Sequence, residues 1–176
     1  MSFLKESNLK NYAISPERWE KVRTYIKVFS WLAKKTIFLS HSHKDKELAQ
    51  GCVNLLAGLG IELYVDWQDS EMPRITDRTT AEKIKNRILE LDYFLVLATE
   101  NALHSRWVPW EIGIADKGKS LDKIAIIPVA DRHGNFEGNE YLQIYNHLQV
   151  DQLNNILVYE IGKNYPSKDI KAWISG

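Results

Sequence analysis

The most constraining feature of the sequence is an uninterrupted apolar run near its middle. The six residues from Tyr93 to Ala98 (YFLVLA) include no charged or amide side chain, so neither face of this segment suits contact with water. The run has the length of a strand and falls far short of the roughly 20 residues that a membrane-spanning helix needs. Strands that are apolar on both faces are typical of parallel sheets covered by helices. We therefore predict an α/β protein built around this strand.

Further apolar runs of strand length alternate along the chain with amphipathic stretches. In one such stretch, Ile84, Ile88 and Leu91 recur at the spacing of a helix. Strands that alternate with helices imply right-handed crossovers and a doubly wound sheet, which binds ligands at the carboxyl ends of its strands. The strands are expected at 36–39, 61–65, 93–98, 124–129 and 148–150. The helices between them are expected at about 45–59, ended by Gly60, around 84–91, and at 107–117.

The N-terminal part is expected to be an extension of the main domain. Residues 1–34 are interpreted as a polar arm followed by a helix, in which Ser15 is the N-cap and Pro16 the first helical residue. Residues 35–176 are then the main domain, in which the role of the last forty residues stays unassigned. The apolar stripe of the N-terminal helix consists of Trp19, Val22, Ile26 and Phe29.

Charge and cysteine content exclude several classes of protein. The 23 basic and 23 acidic residues give a formal net charge of zero, so no overall positive field attracts nucleic acid or anionic lipid. Cys52 is the single cysteine, which rules out an intramolecular disulfide and suggests a small buried side chain. A secretory signal has a basic segment followed by an apolar one, and the N-terminus lacks this pattern. We expect a cytoplasmic protein with no nucleic-acid or membrane partner.

Polar residues follow the first two predicted strands, at the edge where a doubly wound sheet binds ligands. The sequence contains no Walker phosphate loop, no dinucleotide-binding glycine motif, no nucleophile elbow and no zinc motif. His41 and His43 lack a third ligand at a suitable spacing, so no metal site is predicted. The candidate binding residues are Ser40, His41 and Ser42 after the first strand, and Asp66 and Trp67 after the second.

An unusual segment, Ser105 to Glu111, begins the third predicted helix. Trp107 and Glu111 lie four residues apart and therefore share a helix face. An aromatic ring beside a carboxylate at this edge would suit a ligand with a flat heterocycle and a ribose. The same spacing also fits a structural role, in which Trp107 and Trp110 belong to the core and Glu111 is a solvated helix residue. The spacing alone leaves both interpretations open.

Four motifs in order carry a resemblance to a known family. They are IFLSHSHKD at 37–45, GIELYVD at 60–66, FLVLAT at 94–99, and S-x-W-V-x-x-E at 105–111. Together they resemble a bacterial TIR (Toll/interleukin-1 receptor) domain over roughly residues 35–130. The resemblance implies a flavodoxin-like fold with a parallel five-stranded sheet flanked by helices, which agrees with the fold class predicted from periodicity.

The resemblance also implies an activity. Enzymatic members of the family cleave the bond between nicotinamide and ribose in NAD⁺, and their essential glutamate corresponds to Glu111. Nicotinamide leaves as a neutral molecule, so no general acid is needed, in contrast to glycosidases with two carboxylates. Glu111 would stabilise the oxocarbenium-like charge and Trp107 would stack on a flat ring of the substrate. The expected catalytic residue is Glu111, and the expected substrate-binding residues are Trp107, Ser40, His41, Ser42, Asp66 and Trp67.

The implied enzyme uses NAD⁺ as its substrate and needs no cofactor or metal. Its product would be ADP-ribose or a cyclic or modified form, as in the Thoeris type of antiphage system, where the product activates a separate effector protein. Family members also self-associate through the loop after the second strand, where this chain has Met72-Pro73-Arg74 instead of Pro-Gly. Two alternatives stay open, a non-catalytic TIR adaptor acting through homotypic contacts and an enzyme resembling nucleoside deoxyribosyltransferases.

Overall fold

The fold was obtained as a computed structural model that describes residues 2–13, 35–69, 77–131, 133–136, 138, 143–153 and 155–176. Over these residues the centre of the protein is a mostly parallel sheet. Its strands are β1 (Leu4–Lys5), β2 (Ile37–Ser40), β3 (Leu63–Tyr64), β4 (Tyr93–Ala98), β5 (Ile124–Ala130), β6 (Asn146–Val150), β7 (Ile156–Tyr159) and β8 (Lys168–Asp169).

The sheet order confirms the predicted α/β class. The strands follow the order β3-β2-β4-β5-β6-β7-β8, and the five from β3 to β6 in this order pair in parallel. The expected strand at 148–150 is the second half of β6. Beyond it, β7 and β8 add an antiparallel edge that the sequence did not predict.

Six helices flank the sheet in the described part of the chain. They are α1 (Glu6–Tyr12), α2 (Lys46–Gly58), α3 (Arg78–Glu90), α4 (Glu100–Leu103), α5 (Val108–Gly118) and α6 (Ile170–Ser175). The end of α2 is as predicted, because Gly60 follows it with a φ of +82°, a conformation that glycine adopts without a steric penalty. In the described part of the chain, no helix is long and apolar enough to cross a membrane.

Residues of β4 alternate between two buried clusters, which explains why the whole strand is apolar. Leu95 and Leu97 belong to a cluster that includes residues of α1, α2 and α6. Phe94 and Val96 belong to a second cluster on the other face, which includes residues of α3 and α5. All six side chains of β4 are buried. The central strand is therefore covered on both faces, as its composition indicated.

The N-terminal residues differ from the predicted polar arm. Leu4 in β1 pairs with Val129 of β5, and Leu9 in α1 is fully buried in the main core. The polar-arm prediction is wrong for residues 4–12 because two isolated leucines give no periodic signal. The predicted helix with Ser15, Pro16 and the stripe from Trp19 to Phe29 lies outside the described residues. The domain boundary after residue 34 therefore stays a prediction.

The last residues of the chain, which the sequence left unassigned, close one end of the fold. Trp173 of α6 packs edge-on against Tyr93, with 4.7 Å between the ring centroids. The Tyr93 hydroxyl donates a hydrogen bond to the Trp173 carbonyl, and the Trp173 indole donates one to the Asp122 carbonyl at 2.6 Å. The helix α6 is thereby held against the beginning of β4, at the end of the sheet opposite to Ser40.

Candidate active site

A buried pair of polar side chains lies at the carboxyl end of the sheet. Ser40 is the last residue of β2, and its hydroxyl donates a hydrogen bond to Oε2 of Glu111 in α5 at 2.5 Å. Ser40 and Phe38 lie two residues apart on the strand, so both point to the face that α5 covers. Ser40 is completely buried and Glu111 is 6% exposed. The structure thus brings these two expected site residues together.

Burial dominates the electrostatics of Glu111. Desolvation raises the pKa of its carboxyl group to about 8, the Ser40 hydrogen bond opposes this rise, and the charge of Asp66 adds to it. A large share of the ligand-free protein therefore holds Glu111 protonated at neutral pH. The alternative of a solvated helix glutamate is wrong, because the Ser40 contact turns Glu111 inward. A cation bound nearby would favour the carboxylate form and restore its negative charge.

The His41 ring lies near the end of β3, and only one of its two nitrogens has a hydrogen-bond partner. Its Nδ1 is 3.2 Å from the Leu39 carbonyl oxygen, which can only accept, so Nδ1 carries the ring proton. Nε2 is 3.8 Å from Oδ1 of Asp66, too far for a hydrogen bond. Among the described residues it is the one buried side-chain nitrogen or oxygen without a hydrogen-bond partner. Burial lowers the pKa of His41, although Asp66 opposes this, so we assign a neutral ring.

Trp67 packs directly against His41. The two rings meet edge to face, with centroids 4.4 Å apart and planes at 78°. The ammonium group of Lys46 lies 5.7 Å from the Trp67 ring centroid. Asp66 accepts a hydrogen bond from the Trp67 amide at 2.8 Å, which fixes the turn that follows β3. His41, Asp66 and Trp67 are therefore one contiguous group, as expected from their places at neighbouring strand ends.

Ser42 and Trp107 have structural contacts of their own. Ser42 is buried, and its hydroxyl accepts a hydrogen bond from the Lys44 amide at 3.4 Å, capping a short 3-10 turn at His43–Asp45. Trp107 precedes α5 and packs partly against the core, with its ring 5.1 Å from that of Trp110. The alternative that placed Trp110 in the core is wrong, because this residue is 38% exposed.

Sequence reasoning missed the hydrogen bonds that join two loops beside this site. The buried carboxylate of Asp45 accepts a hydrogen bond from the Thr99 hydroxyl and another from Nδ2 of Asn101 at 2.6 Å. Asp45 was expected to suit the start of α2 and does occupy that position, but its side chain caps no helix amide. One signal could have found the contact: Asp45 and Thr99 follow strands that are neighbours in a parallel sheet.

Two further expectations concern other reactive groups. Cys52 is buried, and desolvation raises the pKa of its thiol to about 12, which fits the expected packing role. In the part of the chain that the structure describes, no group of three or more histidine, cysteine or acidic side chains is placed to hold a metal ion.

The fold is a doubly wound α/β sheet, and a buried carboxylate lies at the edge where sheets of this kind bind ligands. Residues 37–157 match the family described as the TIR domain. The chain belongs to this family. The match extends past residue 130, where the motif resemblance ended, and includes β6 and part of β7.

Two curated relatives are similar to the chain. A protein of Bacillus cereus (strain MSX-D12), described as "Probable 3' cyclic ADP-D-ribose synthase ThsB'", is 35% identical over 129 residues, which cover 71% of this chain and 66% of the relative. A protein of Cytobacillus dafuensis, described as "Putative cyclic ADP-D-ribose synthase TIR2", is 30% identical over 89 residues, which cover 48% of this chain and 24% of the relative. The similarity thus spans just under two thirds of the first relative's length and about a quarter of the second's.

Proposed function

We propose that this TIR protein cleaves the nicotinamide–ribose bond of NAD⁺ and converts the ADP-ribose part into a cyclic product. The observation that carries the proposal is the buried Ser40–Glu111 pair at the carboxyl end of the sheet. Both similar curated proteins are described as cyclic ADP-ribose synthases, which supports the nature of the product.

The chemistry of the substrate fits a single buried carboxylate. NAD⁺ carries a positive pyridinium, and its positive charge moves onto the ribose as neutral nicotinamide leaves. A carboxylate in a site shielded from water interacts strongly with such a charge, because the local dielectric constant is low. Binding of the cationic pyridinium ring beside Glu111 draws the carboxyl group toward its ionised form, and the Ser40 hydroxyl donates to the carboxylate that results.

The other expected residues surround this pair in the proposal. Trp107, whose ring is half-buried at the start of α5, stacks on a flat ring of the substrate. The hydroxyl and imidazole groups of Ser40, His41 and Ser42, at the end of β2, bind the ribose or pyrophosphate groups. Asp66 and Trp67, which follow β3, complete the rim of the site.

We infer that the cyclic product acts as a signal in bacterial antiviral defence of the Thoeris type, where it would activate a separate effector protein in the cytoplasm. Self-association through TIR contacts is part of the same proposal. The loop that contains Met72, Pro73 and Arg74, which the resemblance links to assembly, lies outside the described residues. The proposed extents are an N-terminal extension at 1–34 and a TIR domain at 35–176.

Incubation of the purified protein with NAD⁺, followed by chromatographic separation of the products, tests this function against its alternatives. Release of nicotinamide together with a cyclic ADP-ribose is the expected result. Intact NAD⁺ across a wide range of protein concentrations would favour the TIR adaptor. Transfer of deoxyribose between a deoxynucleoside and a free base, with NAD⁺ intact, would favour the deoxyribosyltransferase alternative.

A further inference from the structure

The His41 ring has a hydrogen-bonding capacity that cleavage of NAD⁺ by Glu111 does not use. His41 is 8% exposed, and its Nε2 has no hydrogen-bond partner among the described residues. Buried polar atoms are rarely left in this state, and a ligand is one of the common explanations. His41 follows Ser40 directly after the end of β2, and the charge of Asp66 acts on the pKa of both His41 and Glu111, which places the two side chains at the same end of the sheet.

The contacts of the ring show which kind of partner Nε2 requires. Nδ1 donates its proton to the Leu39 carbonyl, so Nε2 presents a lone pair and needs a donor. The nearest charged group is the Asp66 carboxylate at 3.8 Å, and an ionised carboxylate has no hydrogen to donate. The missing partner is therefore a donor such as a hydroxyl group. NAD⁺ carries such groups on both of its riboses.

We propose that Nε2 of His41 accepts the proton of the ribose hydroxyl that closes the ring of the cyclic product. This inference rests on the proposed function and deepens it, because it assigns the second half of the reaction to a residue other than Glu111. His41 would thereby favour cyclisation over hydrolysis.

The proposed reaction balances without any further reactant. The bond between the ribose anomeric carbon and the pyridinium nitrogen breaks, and its electron pair leaves with neutral nicotinamide. The oxygen of a hydroxyl on the adenosine ribose then forms a bond to the anomeric carbon. Its proton passes to Nε2 and is later released to solvent. NAD⁺ thus gives nicotinamide, a cyclic ADP-ribose and one proton.

The surroundings of His41 suit this transient protonation. Asp66, 3.8 Å from Nε2, stabilises the imidazolium ion by charge attraction once it forms. Trp67 packs against the ring and Nε2 is buried, so bulk water is kept away from this atom. Nε2 is itself buried, so the proposal requires that the substrate hydroxyl enters beside the turn Asp66–Gln68, none of whose residues is fully buried.

The neutral ring that this role requires is the state expected near neutral pH. Burial lowers the pKa of His41 and is the largest effect. The charges of Asp66 and Asp45 raise the pKa, and His43 lowers it. Protonation of His41 at acidic pH would remove the acceptor, whereas the Glu111 carboxyl, with a pKa of about 8, controls the cleavage step instead.

The experiment compares His41→Gln with the wild-type full chain and measures released nicotinamide and the ratio of cyclic to linear ADP-ribose separately. Glutamine is polar and similar in length but does not accept a proton at neutral pH. The rate of nicotinamide release serves only to normalise the products, because His41 also belongs to the proposed binding site; the ratio of cyclic to linear product should fall about a hundredfold, the low end of what general bases contribute. The control is His133→Gln, at an exposed loop histidine, and should match the wild type. An unchanged ratio in a folded His41→Gln variant would overturn the proposal.

Two measurements on the wild-type protein do not depend on the folding of the variant. ¹⁵N NMR of the histidines should show His41 with a proton on Nδ1 and none on Nε2; a proton on Nε2 near neutral pH would overturn the proposal. The product ratio should turn toward linear ADP-ribose at a pH below the ordinary histidine pKa of 6.5, because burial lowers the pKa of His41, and a constant ratio would contradict the proposal. If the wild type releases nicotinamide but forms only linear product, this inference fails while NAD⁺ cleavage stands. If NAD⁺ stays intact, both the role of His41 and the proposed cleavage of NAD⁺ are contradicted.

Discussion

Ser40 and Glu111 are joined by a hydrogen bond of 2.5 Å across 71 residues of sequence. The bond connects the end of β2 to the first turn of α5, and it lies where the covering helix meets the ligand-binding edge of the sheet. It opposes the burial that raises the pKa of Glu111 but does not cancel it. A positive charge close to Glu111 would lower this pKa and ionise the carboxyl group near neutral pH.

Replacement of Glu111 by glutamine should alter the pH dependence of stability. The folded-state pKa of about 8 lies above the unfolded value of about 4.3, so the folded protein holds an extra proton between these two pH values. Wild-type stability should thus fall as the pH rises from about 4 to 8. Glu111→Gln, which lacks this titration, should match the wild type near pH 4 and exceed it at pH 9 by a few kcal/mol at most. Urea unfolding at both pH values measures the difference, and a constant difference would contradict the raised pKa.

Loss of the Ser40 hydroxyl should shift the pH profile of NAD⁺ cleavage. The active form is the carboxylate, so kcat/KM of the wild type should rise with pH toward a plateau above about 8. Ser40→Ala removes the hydrogen bond that lowers this pKa, and its profile should move to higher pH. Ser120→Ala, at an exposed serine whose side chain caps no helix amide, is the control. Superimposable profiles for Ser40→Ala and the wild type would show that the hydroxyl does not influence Glu111.

The Asp45 carboxylate should contribute to stability through the two loops that it joins. Asp45→Ala leaves the Thr99 hydroxyl and the Asn101 amide without their acceptor, and charged hydrogen bonds of this kind are each worth about 1.5–3 kcal/mol. We expect a loss of at least about 2 kcal/mol in the free energy of unfolding. Glu47→Ala, at an exposed position of α2, should cost under about 0.5 kcal/mol. Equal losses for the two variants in urea titrations would contradict the assigned contacts.

Close packing of α1 on α2 depends on Gly51. A Cβ atom at this position would lie 2.0 Å from the carbonyl oxygen of Leu9, a backbone atom that moves only if α1 moves. Gly51→Ala should therefore lower the free energy of unfolding by more than about 1 kcal/mol. Gly58→Ala, at the last residue of α2 with open space around it, should be neutral or stabilising. Thermal unfolding compares the two, and a stable Gly51→Ala would show that α1 does not pack as described.

The parallel core was predictable because its signal is local. Each run such as Tyr93 to Ala98 carries its own periodicity, and alternation with helical stretches then determines the topology. The antiparallel edge was not predictable in this way. β8 is only two exposed polar residues, Lys168 and Asp169, and pairs because β7 presents an open edge. β1 also has only two residues, and Leu4 is placed there by pairing with Val129 of β5, not by any periodic pattern in its own segment.

The grouping of the candidate residues was partly predictable, but their protonation states were not. Motif order placed Ser40, His41 and Glu111 at one edge of the sheet, since carboxyl ends of parallel strands meet there. The burial of Glu111 and the partnerless Nε2 of His41 depend on how α5 and the turn after β3 pack in three dimensions. No local sequence pattern predicts this burial or this missing hydrogen-bond partner.

The central claim is that the Glu111 carboxylate drives cleavage of NAD⁺, and the rate of nicotinamide release by wild type and Glu111→Gln tests it most directly. Glutamine preserves the shape of the side chain but carries no charge, so the rate should fall by about 10²-fold or more. Glu82→Gln makes the same chemical change at an exposed glutamate of α3 and should keep the wild-type rate. A folded Glu111→Gln variant that releases nicotinamide at the wild-type rate would contradict the account.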